Sequence, residues 1–120
     1  MNAQHLLPGL RAWFDNYTGQ FASDDPTTND AMILKVAHTQ RVCDLIVDIG
    51  KTLGFAGEAL CVAEAAALLH DIGRFEQYQR YRTFSDFKSE NHARLGVAII
   101  QRHRVLNVLD APTAEIILKA

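Results

Sequence analysis

Residues 58–70, with the sequence EALCVAEAAALLH, constrain the fold of this chain more than any other stretch. Ala and Leu favour a helix, and apolar residues would cover most of the circumference of this one. Such a helix needs neighbours on most sides, so the stretch predicts a central helix within a helical core. It ends, however, on His70, which Asp71 follows. Because an unpaired buried charge is costly, the carboxylate of Asp71 requires a cation or strong hydrogen-bond donors nearby.

Apolar residues also recur at helical spacing in most of the remaining chain, which predicts an all-α fold. The segments with this spacing are 1–21, 31–53, 58–70, 91–106 and 112–119. The first is broken or begun at Pro8, and a polar loop follows whose last members, Asn29 or Asp30, are expected to cap the second helix. Residues 1–30 are therefore expected to be an N-terminal helix and polar loop that pack on a domain of residues 31–120.

The second predicted helix carries a candidate metal ligand. Its buried face is inferred from apolar residues at helical spacing. These residues are Leu34, Val42, Leu45, Ile49 and Leu53. His38 lies on the same face, where a lone histidine is more often a hydrogen-bonded core residue than a ligand. The adjacent His70 and Asp71 favour the interpretation of His38 as a metal ligand, because imidazole plus carboxylate suits a first-row divalent metal. The alternative for Asp71 is a turn residue paired with Arg74.

Composition narrows the class of protein. The chain has 14 acidic and 12 basic residues, which argues against a dedicated nucleic-acid binder. Residues 74–104 nevertheless carry a net charge of +4 and the remainder −6. This asymmetry is typical of a site for a small anion. On charge alone, a solvated face with clustered charges is an equally good interpretation. Two cysteines, Cys43 and Cys61, are too few for a disulfide framework. Neither a membrane span nor a signal peptide is visible, so a cytoplasmic protein is expected.

The helical period is lost between the third and fourth of these helices, where a functional loop or a pair of short helices is expected. Aromatic residues recur there every three positions. They are Phe75, Tyr78, Tyr81, Phe84 and Phe87. The favoured interpretation is that they cover the core, and the alternative is that they stack on a nucleobase.

Three motifs, KVAHTQRV, AALLHDIGRFEQ and FSDFKSENHARLG, resemble in order and spacing the HD-domain superfamily of metal-dependent phosphohydrolases over residues 33–118. The resemblance implies a compact helical HD-domain bundle with a divalent ion (Mn, Mg, Co, Ni, Fe or Zn) bound by His38, His70 and Asp71. It also implies a later aspartate ligand, which no position matches, since Asp110 is better interpreted as a helix cap. The last helix has no cap or glycine after it, so the domain is expected to be truncated at its C-terminus.

The resemblance further implies the activity: a metal-activated water hydrolyses a phosphomonoester or phosphodiester, with a small, nucleotide-like phosphorylated substrate. Catalytic roles would fall on Asp71 and Arg74, and candidate substrate-binding residues are Arg74, Lys88, Ser89 and His92. For His92 two interpretations stay open: a ligand of a second metal, or a helix N-terminal residue that pairs with Glu90 or a substrate phosphate. The rival hypothesis is a non-catalytic HD-like module that binds metal or nucleotide and signals through a partner.

Overall fold

The computed structural model describes residues 3–107, 109 and 111–119. Within these ranges the chain forms six helices and no β-strand. The helices are α1 (Ala3–Gly19), α2 (Pro26–Thr52), α3 (Gly57–Leu69), α4 (Gly73–Tyr81), α5 (His92–Arg102) and α6 (Ala111–Lys119). The predicted all-α fold is confirmed. None of the described helices is long and apolar enough to cross a membrane. Asp110, interpreted above as a helix cap, lies outside the described residues.

Helix α3 occupies the centre of the bundle, as its composition predicts. It packs against α1, α2 and α6, and Ala65, Leu68 and Leu69 near its C-terminal end are buried. Helix α1 continues through Pro8, so the prediction that it breaks or begins there is wrong. Its Phe14 meets the buried ring of Phe75 edge to face, with 6.2 Å between the ring centroids. The N-terminal helix therefore contributes to the same core as α3.

Helix α2 begins five residues before the expected start, so the prediction that Asn29 or Asp30 caps it is wrong. Its N-cap is Asp25, whose carboxylate accepts hydrogen bonds from the backbone N–H of Thr28 at 3.0 Å and from its hydroxyl at 2.6 Å. Pro26 opens the helix, where its missing N–H costs nothing and its fixed φ suits the first turn. Asn29 instead accepts a hydrogen bond from the backbone of Ser23.

The buried face of α2 is also different from the predicted one. Of the five apolar residues expected there, only Val42 packs against the core. The other four, Leu34, Leu45, Ile49 and Leu53, are each more than half exposed. The buried residues of the helix are Thr28, Met32, Thr39, Cys43 and Gly50. Both sets have helical spacing. At Gly50 the buried set allows a close approach to α3, because a Cβ there would come within 2.7 Å of the Leu60 side chain.

The Asp25 cap can be tested by comparing alanine substitutions at Asp25 and at the neighbouring Asp24. We expect Asp25→Ala to lower the free energy of unfolding by about 1 kcal/mol, because it removes the acceptor for the first turn of α2. Asp24→Ala is the matched control, since Asp24 is exposed and outside the cap hydrogen bonds. Urea unfolding followed by circular dichroism measures both. Equal losses in the two variants would contradict the assigned cap.

Candidate metal centre

Three side chains from two helices converge at the C-terminal end of α3. His38 lies in the middle of α2, and His70 and Asp71 occupy the turn between α3 and α4. The Nε2 atoms of His38 and His70 lie 3.4 Å and 3.3 Å from Asp71 Oδ2. One potential ligand atom from each residue lies within 4.8 Å of the others. The structure therefore brings together the three residues for which the sequence predicted a shared metal.

The carboxylate of Asp71 is buried and charged. Burial alone would raise its pKa, but the hydrogen bond and charge of His70, with further contributions from Lys35 and Arg74, lower the pKa to about 2. The carboxylate is therefore ionised at neutral pH, which is the state that binds a metal. Its side chain is 9% exposed, whereas that of His38 is 40% exposed. The histidine expected on a buried face thus opens the cluster to solvent.

The ring of His70 is oriented by the backbone of its own helix. Its Nδ1 lies 2.5 Å from the carbonyl oxygen of Ala67, so Nδ1 donates there and Nε2 faces Asp71. The hydrogen bond to Asp71 outweighs burial and raises the pKa of His70. A divalent ion at Nε2 would take the place of that proton, an arrangement typical of metal-bound histidines. Two imidazoles and one carboxylate in this orientation fit a divalent metal.

His92, the first residue of α5, contacts the other oxygen of the same carboxylate. Its Nε2 lies 3.4 Å from Asp71 Oδ1, and its Nδ1 lies 2.9 Å from Asp86 Oδ2. Asp71 thus faces His38 and His70 with one oxygen and His92 with the other. His92 has Asp86 as its carboxylate partner in place of the expected Glu90, which accepts from Tyr81. Its Nε2 is in position to contact a second ion or a phosphate, and both interpretations remain predictions.

Comparison with known proteins identifies the family. The model of the HD domain family matches residues 23–120, which is most of the chain and includes all four of these side chains. This chain belongs to the HD domain family. No curated protein and no solved structure matches it. Members of the family bind divalent metals, in agreement with the donor set described above.

Two glycines bring His92 close enough to Asp71 in this HD domain. Gly73 at the start of α4 packs against Gly96 in α5, and a Cβ on Gly73 would lie 2.2 Å from the backbone oxygen of His92. Neither glycine has a positive φ. Their role is therefore close approach of two helix backbones, and any larger side chain at Gly73 would push α5 away from the cluster.

Arg74 holds the segment between α4 and α5 in place. Its Nη1 donates to Gln77 Oε1 at 3.0 Å, to the Phe84 carbonyl at 2.6 Å and to Asp86 Oδ1 at 3.0 Å. Only its Nε, 3.8 Å from Asp71 Oδ1, is buried without a hydrogen bond. Arg74 thus lies beside the cluster as predicted, but its described hydrogen bonds are all made to other groups of the HD domain.

Two residues of this network were missed by sequence reasoning. Gln77 is fully buried and donates to Asp86, Ser89 and the backbone of Glu90. Asp86 accepts from Gln77, Arg74 and His92. Spacing gives no signal for Gln77, because the acceptors of its amide N–H groups lie 9 to 13 residues away. Asp86 belongs to the third motif quoted above, but its contact with His92 depends on an irregular segment.

The remaining candidates, Lys88 and Ser89, lie on that segment. Lys88 is exposed, and its backbone N–H donates to the Ser85 hydroxyl. The Ser89 hydroxyl donates to the Ser85 carbonyl at 2.7 Å and accepts from Gln77. Neither makes a described contact with the His38, His70 and Asp71 cluster, so their binding of substrate remains a prediction.

The close approach of α4 and α5 can be tested with two Gly→Ala substitutions that should change the free energy of unfolding in opposite directions. We expect Gly73→Ala to destabilise the HD domain by about 1–3 kcal/mol, because the added methyl group collides with backbone. Gly9→Ala is the control: nothing lies within 4 Å of the added Cβ, and alanine favours the helix by up to about 1 kcal/mol. Thermal and urea unfolding measure both variants. An unchanged Gly73→Ala protein would contradict the described packing.

Proposed function

We propose that this HD domain is a metal-dependent phosphohydrolase that cleaves a phosphomonoester or phosphodiester of a small, nucleotide-like molecule. The observation that carries the proposal is the convergence of His38, His70 and Asp71, with ligand atoms within 4.8 Å of one another. The family in general consists of metal-dependent phosphohydrolases, which supports the same reaction class.

The exposure of the cluster supports catalysis over a purely structural metal site. Structural zinc sites have four closely packed protein ligands, whereas catalytic sites combine about three protein ligands with a position open to water or substrate. Here three ligands converge, and the rings of His38 and His70 are 40% and 29% exposed. A substrate can therefore approach the cluster from the side of the two histidines.

Each residue has a role that follows from its surroundings. A bound divalent ion supplies Lewis acidity, which activates water and polarises a phosphoryl group. His38 and His70 bind the ion through Nε2, and the ionised Asp71 supplies the negative ligand. His92 is held by Asp86 with Nε2 toward Asp71, where it can orient a substrate oxygen. The net +4 charge of residues 74–104 favours an anionic substrate.

Metal binding is the first test. We expect His70→Ala and Asp71→Asn each to weaken Mn²⁺ or Co²⁺ binding by at least tenfold, measured by isothermal titration calorimetry and by the Co²⁺ absorption spectrum. His5→Ala is the control, because His5 is an exposed histidine on α1. Wild-type affinity in the Asp71→Asn protein would exclude this cluster as the metal centre.

Turnover is the second test. With Mn²⁺, Co²⁺, Ni²⁺ or Mg²⁺ added, we expect the protein to hydrolyse p-nitrophenyl phosphate or bis(p-nitrophenyl) phosphate. The Asp71→Asn variant should lose at least about a hundredfold in kcat/KM, because the ion and its charge partner are lost together. Metal binding without hydrolysis of either ester, or of nucleotides, would favour the non-catalytic binding module.

A further inference from the structure

Lys35 lies on α2 one helical turn before His38, on the face that carries the metal cluster. Side chains three positions apart in a helix are neighbours, with about 5–6 Å between their Cβ atoms. Contacts connect Lys35 to the cluster: its Nζ lies above the ring of Phe84, whose carbonyl accepts from Arg74, and Arg74 Nε lies 3.8 Å from Asp71 Oδ1.

Burial raises the pKa of Asp71 and His70 lowers it, and the charge of Lys35 adds to the lowering. Lys35 also opposes the rise in the pKa of His70 that the hydrogen bond to Asp71 causes.

The ammonium group of Lys35 is in no close ion pair with a carboxylate of the described residues, although its charge acts on Asp71 at longer range. Its described contact is the ring of Phe84, whose centroid lies 4.8 Å from Nζ. A cation above an aromatic ring gains about 0.5–1 kcal/mol at an exposed site, but its charge is not neutralised. Lys35 as a residue is only half-buried, so a ligand in solvent can reach it.

Phe84 is fixed from two further sides. Its carbonyl accepts a hydrogen bond from Arg74, and its ring contacts the ring of Tyr78 with 4.8 Å between the centroids. The ring that supports Lys35 is therefore held by the same network that orients His92. In contrast to Arg74, whose Nη1 has three protein acceptors, Lys35 keeps its donors available.

We propose that Lys35 is the side chain that binds the phosphate group of the ligand beside the metal centre, with the Phe84 ring positioning its ammonium group. This rests on the proposed function, in that the ligand is a phosphate ester. Lysine is a compact point charge with three donors, which suits the oxygens of a phosphate. Arg74 then acts as a positioning residue, whose Nη1 holds Phe84 and Asp86, while its Nε and Nη2 have no described hydrogen bond.

The test uses inorganic phosphate as the probe, because phosphate binding does not require turnover. Isothermal titration calorimetry of the Mn²⁺-loaded protein compares the wild type with Lys35→Ala, Lys35→Arg and Lys51→Ala. Lys51 is the matched control, since it is an exposed lysine near the C-terminal end of the same helix. We expect Lys35→Ala to weaken phosphate binding by at least tenfold without weakening Mn²⁺ binding, because the loss of a neighbouring cation can only favour a divalent ion. Lys35→Arg should retain most of it, and Lys51→Ala should match the wild type.

The outcomes separate this proposal from the hydrolase proposal. Equal phosphate affinity in Lys35→Ala and Lys51→Ala, or no phosphate binding by the wild type, would overturn the role of Lys35. Phosphate binding that depends on Lys35, in a protein that hydrolyses no ester, would support Lys35 and overturn the hydrolase. Phe84→Leu adds a second measurement: it keeps the charge and removes the ring, so a loss of a few fold, smaller than that of Lys35→Ala, is expected.

Discussion

The buried carboxylate of Asp71 is the constraint around which the rest of the site is organised. A charge at the end of an apolar helix is stable only when hydrogen-bond donors and cations surround it. Here α2 supplies His38, the turn after α3 supplies His70, and α5 supplies His92, each within 3.4 Å of one of its oxygens. Two of these histidines, His38 and His70, also form with Asp71 the cluster that could hold a metal ion.

A second layer of polar contacts fixes this arrangement. The segment of residues 82–91 has no helix or strand and presents Phe87 almost entirely to solvent, with 98% exposure. Its position depends on the side chains of Arg74 and Gln77, which bond to its backbone and to Asp86. The close packing of Gly73 on Gly96 makes these contacts possible, because it brings α4 and α5 together. Backbone packing and hydrogen bonding thus orient His92 jointly.

Much of this organisation was predictable from the sequence. The His-Asp pair at the end of an Ala- and Leu-rich stretch predicted a buried carboxylate in need of partners, and helical spacing predicted five of the six described helices. The face of α2 was wrongly predicted, because two sets of residues share one helical period and the more apolar set is not the one that packs against the core. The aromatic repeat predicted that its members cover the core, and this holds for only part of it. Helix α4 ends at Tyr81, so the repeat continues into an irregular segment, and Phe75 is buried while Phe87 is exposed.

By itself the sequence determined the all-α class and the central helix, because these depend on local periodicity. The cost of a buried charge indicated that Asp71 needs partners, and the resemblance of three motifs to the HD-domain superfamily indicated His38 and His70 as those partners. Only the tertiary structure decided which cation is free to meet a ligand. Arg74 and Lys35 both lie within one helical turn of a cluster residue in the sequence, but Arg74 Nη1 donates to Gln77 and to Phe84 and Asp86 of the segment after α4, whereas Lys35 meets an aromatic ring. Contacts between residues far apart in sequence depend on how the helices pack, and spacing along one helix carries no information about them.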